Sequence, residues 1–120
     1  MSDNYVKKPE DVIHTDHNGV EVIHLVDAVH PAGHRYVIQH PAYFASEVLF
    51  QNGPVKEVGI NGVTNEALLA VVLHRLRELN KQFPCRENSL AITNIEQGVM
   101  WLEARTKDRI QRKVEGLNKV

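Results

Sequence analysis

TNEALLAVVLHRLRELNKQ, residues 64–82, runs into FPCRENSLAITNIEQGVMWLEARTKDRIQRKVEG, residues 83–116, and the reading of these two stretches decides the fold of the 120-residue chain. In the first, Leu68, Leu69, Val72, Leu76 and Leu79 recur at three and four residues, the spacing of one helix face. Thr64 is placed to cap this helix, and Glu66 sits in its first turn, where negative charge meets the positive end of the helix dipole. The helix is expected to end near Asn80, before Phe83-Pro84. Pro84 suits the first turn of a second helix. In that helix Ile92, Ile95, Val99 and Leu102 recur, Ile110 and Val114 extend the run, and Gly116 is a natural stop. If continuous, residues 85–114 span about 45 Å at about 1.5 Å per residue. Leu73, Met100 and Trp101 lie off these stripes, so a hairpin alone leaves apolar surface to be covered, and self-association is expected to cover it.

Outward from the hairpin, the pattern changes near residue 60. Val20, Val22, His24 and Val26 alternate with Glu21, Ile23, Leu25 and Asp27, the period of a strand. Pro31-Ala32-Gly33 reads as a turn and Arg35–His40 as a second strand. Glu47–Gln51 and Val55–Val58 are two further short runs around Asn52-Gly53-Pro54, and Asn-Gly is a hairpin signal. Three or four antiparallel strands are expected. The fold class is α+β: a small N-terminal antiparallel sheet in residues 1–60, then a long helical hairpin in residues 61–120.

Composition sets the limits. The chain is 42% hydrophobic and 24% charged with a formal net charge of −1, which argues against a DNA binder, usually basic overall. No apolar run approaches the roughly 20 residues of a membrane helix. Met1–Glu10 is polar, unlike a signal peptide. Cys85 is the one cysteine, so no disulfide closes within a chain and a reducing compartment fits. A soluble, cytoplasmic protein is expected.

Six of seven histidines precede residue 41: His14, His17, His24, His30, His34 and His40. His14-x-x-His17 and His30-x-x-x-His34 have ligand-like spacing, but no His-Glu-x-x-His or cysteine cluster accompanies them, and surface histidines are the plainer reading. Nothing places Cys85 beside a histidine as a nucleophile, and no glycine-rich phosphate loop or paired-carboxylate motif is present. No enzyme, no catalytic residue, no metal and no cofactor is expected. Anion binding has better support. A helix N-terminus presents unpaired N–H groups and roughly half a positive charge, and Arg86 adds a guanidinium whose fork matches phosphate oxygens. The alternative is that Arg86 pairs with Glu87 or Glu66. Arg105, Arg109 and Arg112 share a helix face one turn beyond Trp101, placed either to bind a ligand or to complement the dipole. His74, Arg75 and Arg77 form another polar cluster.

Residues 61–116, with the Arg86-Glu87-Asn88 run and the stretch IEQGVMWL, resemble the helical hairpin of two phage counter-defence families. One is the anti-CBASS sponge family, which binds cyclic di- and trinucleotides. The other is the Thoeris anti-defence family, which binds cyclic ADP-ribose isomers and, in some members, cyclic oligonucleotides. Strands ahead of the hairpin resemble the Thoeris type more closely. The resemblance implies homo-oligomers, hexamers in particular, that sequester cyclic nucleotide second messengers in the host cytoplasm without cleaving them. It places Arg86, Ser89 and Thr93 at a trinucleotide site. Arg75, with Asn61 and Asn65, falls at pockets between subunits, and Arg105 and Arg109 match more loosely. Glu87 departs from the pattern by adding negative charge next to the arginine. The competing reading is a phage structural or assembly accessory that uses the hairpin only to oligomerise.

Overall fold

Turn chemistry builds the front half. In a computed structural model, which describes residues 8–112, Asp16 Oδ1 accepts the N–H groups of Asn18 (2.8 Å) and Val20 (3.0 Å), and Gly19 takes a positive φ of 81°. This turn pairs β1 (Val12–Thr15) with β2 (Glu21–Leu25). A second loop containing Gly33, at φ 86°, leads to β3 (Arg35–His40), and Pro41-Ala42-Tyr43 turns into β4 (Phe44–Leu49). A 3-10 turn at Pro9–Asp11 precedes β1. The four strands form one antiparallel sheet in the order β1-β2-β3-β4.

Register explains the core. Val12 faces Ile23, Ile23 faces Val37, and residues opposite one another share a sheet face. Ile23, Leu25 and Val37 are buried, with Val12 and Ala45 packed against them. Each such side chain contributes about 1.5–3 kcal/mol by leaving water. The other face carries His24, Tyr36 and Val48 in one cross-strand row, where the Tyr36 ring lies 5.2 Å from His24 and 5.7 Å from Phe50.

Residues 55–58 correct the sequence reading. They form a one-turn helix, α1 (Val55–Val58), rather than a strand. Pro54 has no N–H for a ladder, and Gly53 and Gly59 flank the segment at φ 89° and 78°, which bends the chain at both ends. The Asn-Gly pair that closes a hairpin is Asn18-Gly19, not Asn52-Gly53. Chain contacts divide the molecule into two compact units, one holding the sheet and residues 60–63, the other holding residues 53–59 and the long helices.

In the helical unit, α2 (Asn65–Gln82) and α3 (Arg86–Gln111) pack together through a three-residue link. Thr64 caps α2 as expected, its Oγ1 accepting the Ala67 N–H at 3.1 Å. The inward stripe of α2 is centred on Leu73, which is buried, whereas Val72 is exposed; Leu69, Leu73 and Leu76 make the packed row. Pro84 lies outside α3, because Cys85 is its N-cap. The expected continuation to Val114 and the stop at Gly116 lie outside the described residues.

Candidate functional site

The head of α3 is held by one side chain of α2. Asn80 Oδ1 accepts the Cys85 N–H at 3.1 Å, and Asn80 Nδ2 donates to Ser89 Oγ at 3.3 Å. Cys85 Sγ in turn accepts the Asn88 N–H at 3.4 Å, and the Ser89 N–H returns to the Cys85 carbonyl at 3.1 Å. The amides of Arg86 and Glu87 are left without an acceptor among the described residues, at the positive end of a 26-residue helix. Arg86 is exposed and makes no ion pair with Glu87, Glu66 or any other described carboxylate. Arg86, Ser89 and Thr93 are three and four residues apart and share one face, with Arg86 and Thr93 pointing outward. Ser89 Oγ already accepts from Asn80, which fixes its place and leaves its O–H to donate. Asn80 was not singled out by the sequence reading; its one signal was an amide side chain in the last turn of a helix ahead of a short link.

Elsewhere on the hairpin the arginines divide by role. Arg77 is bound to Glu96 across α2 and α3, and Arg112 to Asp108 at 2.9 Å. Glu78 pairs with Lys81 at 2.7 Å, a bond that lowers the Glu78 pKa. Arg75 and Arg105 are exposed and form no ion pair among the described residues. Arg109 departs from the expected outward stripe: it is buried. It continues the seven-residue row of Ile95 and Leu102, which lies on the packed side of α3, so the row of arginines curves inward there. Trp101, 79% exposed, stands one turn before Arg105, and Met100 and Leu90 are also exposed on the outward side.

Asn61 and Asn65 belong to different settings. Asn61 is stapled to the chain at Asn52: its Oδ1 accepts the Asn52 N–H and its Nδ2 donates to the Asn52 carbonyl, both at 2.8 Å. Its backbone N–H donates to Gln51 Oε1 at 3.0 Å. Both ends of its amide are thus engaged in holding the loop that brings Phe50 and Val63 into a parallel bridge. Asn65 is exposed in the first turn of α2.

Three histidines of the front half, His24, His30 and His34, serve the loop between β2 and β3. His24 Nε2 accepts the Gly33 N–H at 2.9 Å, His30 Nδ1 lies 3.0 Å from both oxygens of Asp27, and His34 Nδ1 donates toward the carbonyls of Pro31 and Ala32. Asp27 also accepts the backbone N–H groups of Val29 and His30. Its carboxyl is held far below the usual range, first by His30 and then by Val29. Arg35 bridges Glu47 (2.8 Å) and Asp27 (3.1 Å), and these carboxylates raise its pKa. Among the described residues no three His, Cys, Asp or Glu side chains come together in the manner of a metal site. Cys85 is exposed and caps a helix.

Residues 45–107, just over half of the chain, match the family model described as the Acb2/Tad1 hairpin domain. The matched segment starts within β4 and ends within α3. A protein named Thoeris anti-defense 1, from Bacillus phage SBSphiJ7, is 56% identical over 70 residues, which cover 58% of this chain and 49% of that protein. The similarity therefore spans about half the length of that relative. Linked by that stretch of strand, loop and paired helices, this chain belongs to the Acb2/Tad1 hairpin-domain family.

Proposed function

We propose that this chain is a phage anti-defence protein that binds cyclic nucleotide-derived immune signals and sequesters them without cleavage. The signals are cyclic ADP-ribose isomers or cyclic di- and trinucleotides, and the protein acts as a homo-oligomer, a hexamer, in the host cytoplasm. The relative named for Thoeris anti-defence supports the biological setting. One observation carries the chemistry: Arg86 stands exposed and unpaired among the described residues at the head of α3, beside two amides without acceptors. A phosphate placed there meets a guanidinium, the helix dipole and free N–H donors together. Ser89 and Thr93 continue that face. Arg75 and Arg105 supply further cations, with Asn65 and Trp101 available to meet a base. Asn61 enters by shaping its loop. A ligand held at about 1 nM requires about −12 kcal/mol, more than one such helix end supplies, so pockets shared between subunits fit the demand. No helix among the described residues is long and apolar enough to cross a membrane, in keeping with this setting.

Leu90, Met100 and Trp101 on the outward side of α3 favour a second reading, an assembly accessory in which the hairpin only oligomerises. Native mass spectrometry of the purified protein against a panel of cyclic ADP-ribose isomers and cyclic di- and trinucleotides separates the two. Sequestration requires a discrete mass shift, with the ligand recovered intact after denaturation. Arg86→Glu and Arg75→Glu are expected to keep the oligomer and to lose at least about tenfold in affinity, the scale of one charge-assisted hydrogen bond. An oligomer that takes up no member of the panel leaves the accessory reading standing.

A further inference from the structure

At the end of the β3–β4 ladder His40 faces Phe44, and Pro41, Ala42 and Tyr43 form the turn between them. The Tyr43 N–H closes the turn on the His40 carbonyl at 3.2 Å. A second lock is the His40 ring itself, whose Nδ1 accepts the Ala42 N–H at 3.1 Å. An imidazole nitrogen that accepts a hydrogen bond carries no proton, so the neutral ring holds its proton on Nε2. That Nε2–H lies beside Gly19 of the β1–β2 turn. A Cβ at Gly19 would sit 3.7 Å from it, so glycine leaves this edge of the ring open where a side chain would cover it. The turn frames a cleft of about 260 Å³ lined by residues 39–45. The Tyr43 ring leans on the His40 ring, with centroids 4.8 Å apart and planes at 40°, and it is 83% exposed; Phe44 is 45% exposed.

Exposed aromatic rings beside an oriented donor are the parts of a stacking site for a flat heterocycle. The volume is below that of pockets that enclose a whole drug-sized ligand, and it suits one ring system. We propose that this turn holds a purine base, stacked on Tyr43 and Phe44, with the His40 Nε2–H donating to a ring nitrogen. The inference rests on the sequestration reading above and places a base-binding site within the sheet unit, in a part of the chain outside residues 45–107 apart from one shared residue, Ala45.

The test uses the full chain as wild type, Tyr43→Ala and Tyr43→Trp, titrated by native mass spectrometry with the cyclic-nucleotide panel. Adenosine monophosphate serves as a separate probe, followed by the amide resonance of Ala42. Tyr43→Ala is expected to bind about tenfold more weakly, the effect of losing one stacking platform, and Tyr43→Trp to restore binding. Adenosine monophosphate should move the Ala42 resonance in wild type and not in Tyr43→Ala. Because Tyr43 is exposed, both variants should melt as wild type does. If wild type binds a panel member and Tyr43→Ala binds it equally well, the base site is overturned while sequestration stands. If wild type binds none, both fall. If Tyr43→Ala changes the mass of the unliganded oligomer and leaves affinity unchanged, the turn is a subunit contact and the base site is overturned.

Discussion

At the head of α3, Arg86 and Ser89 sit three residues apart and do different work. Ser89 is tied to Asn80, and Arg86 projects from the end of the same turn with nothing described to neutralise it. The same division separates Asn61 from Asn65: one amide is consumed by its own chain, the other is exposed. Asn61→Ala removes two side-chain bonds and leaves the backbone N–H and carbonyl of Asn52 without these partners. It is expected to lower stability by about 1–2 kcal/mol, measured by urea denaturation, rather than to act on ligand affinity alone. Asp27 makes a prediction about pH. Its folded pKa lies well below the ordinary aspartate value of 3.8, through His30 and then the Val29 amide. A lowered carboxylate stabilises the fold fully above the unfolded value and loses that contribution as pH falls below it. The melting temperature of the wild type should therefore drop more steeply below about pH 4 than that of Asp27→Asn, which has already lost the charge. Parallel curves for the two proteins would refute the assignment.

The long helices were legible because their period, caps and breakers agree: Thr64 caps α2, and apolar spacing marks α3. Phase was less legible. Val72 and Leu73 are neighbours of equal apolarity, and only the partner helix decides that Leu73 faces inward. The sheet was legible where alternation was long, over Val20–Asp27, and not where strands were short. β1 has four residues and a register shift between Val12 and His14, so its hydrophobic signal is nearly absent. Of the candidate site, sequence reasoning reached Arg86 and its face, but burial of Arg109 and the stapling of Asn61 depend on neighbours that spacing does not reveal. At Gly62 the chain passes close to its own backbone. A Cβ there would meet the Phe50 carbonyl carbon at 2.5 Å and the Gln51 nitrogen at 2.7 Å, both backbone. Gly62→Ala must push apart the parallel bridge of Phe50 and Val63 and is expected to cost about 1–3 kcal/mol, read as a lower denaturation midpoint with the helical signal of α2 and α3 retained.

Across the whole molecule, buried apolar side chains among the described residues are few: Ile23, Leu25 and Val37 in the sheet unit, Leu73 in the helical unit. So small a core gives a single chain little stability of its own, while Val71, Leu90, Met100 and Trp101 remain exposed. If copies cover one another, folding is linked to assembly by mass action. The melting temperature should then rise by several degrees as protein concentration increases a hundredfold, and dilution should lower it; a concentration-independent melt would identify a self-sufficient monomer.

The outward face of α3 has a consequence for how such a chain changes over generations. Arg86, Thr93, Gln97 and Ala104 are exposed and lie away from the packed side. Substitutions at positions of this kind usually alter stability by no more than about 0.5 kcal/mol. A lineage can thus replace them one at a time without crossing a folding threshold. On the proposed sequestration reading, a change in the chemistry of the captured signal would be met at such positions, so recognition would drift while architecture is inherited.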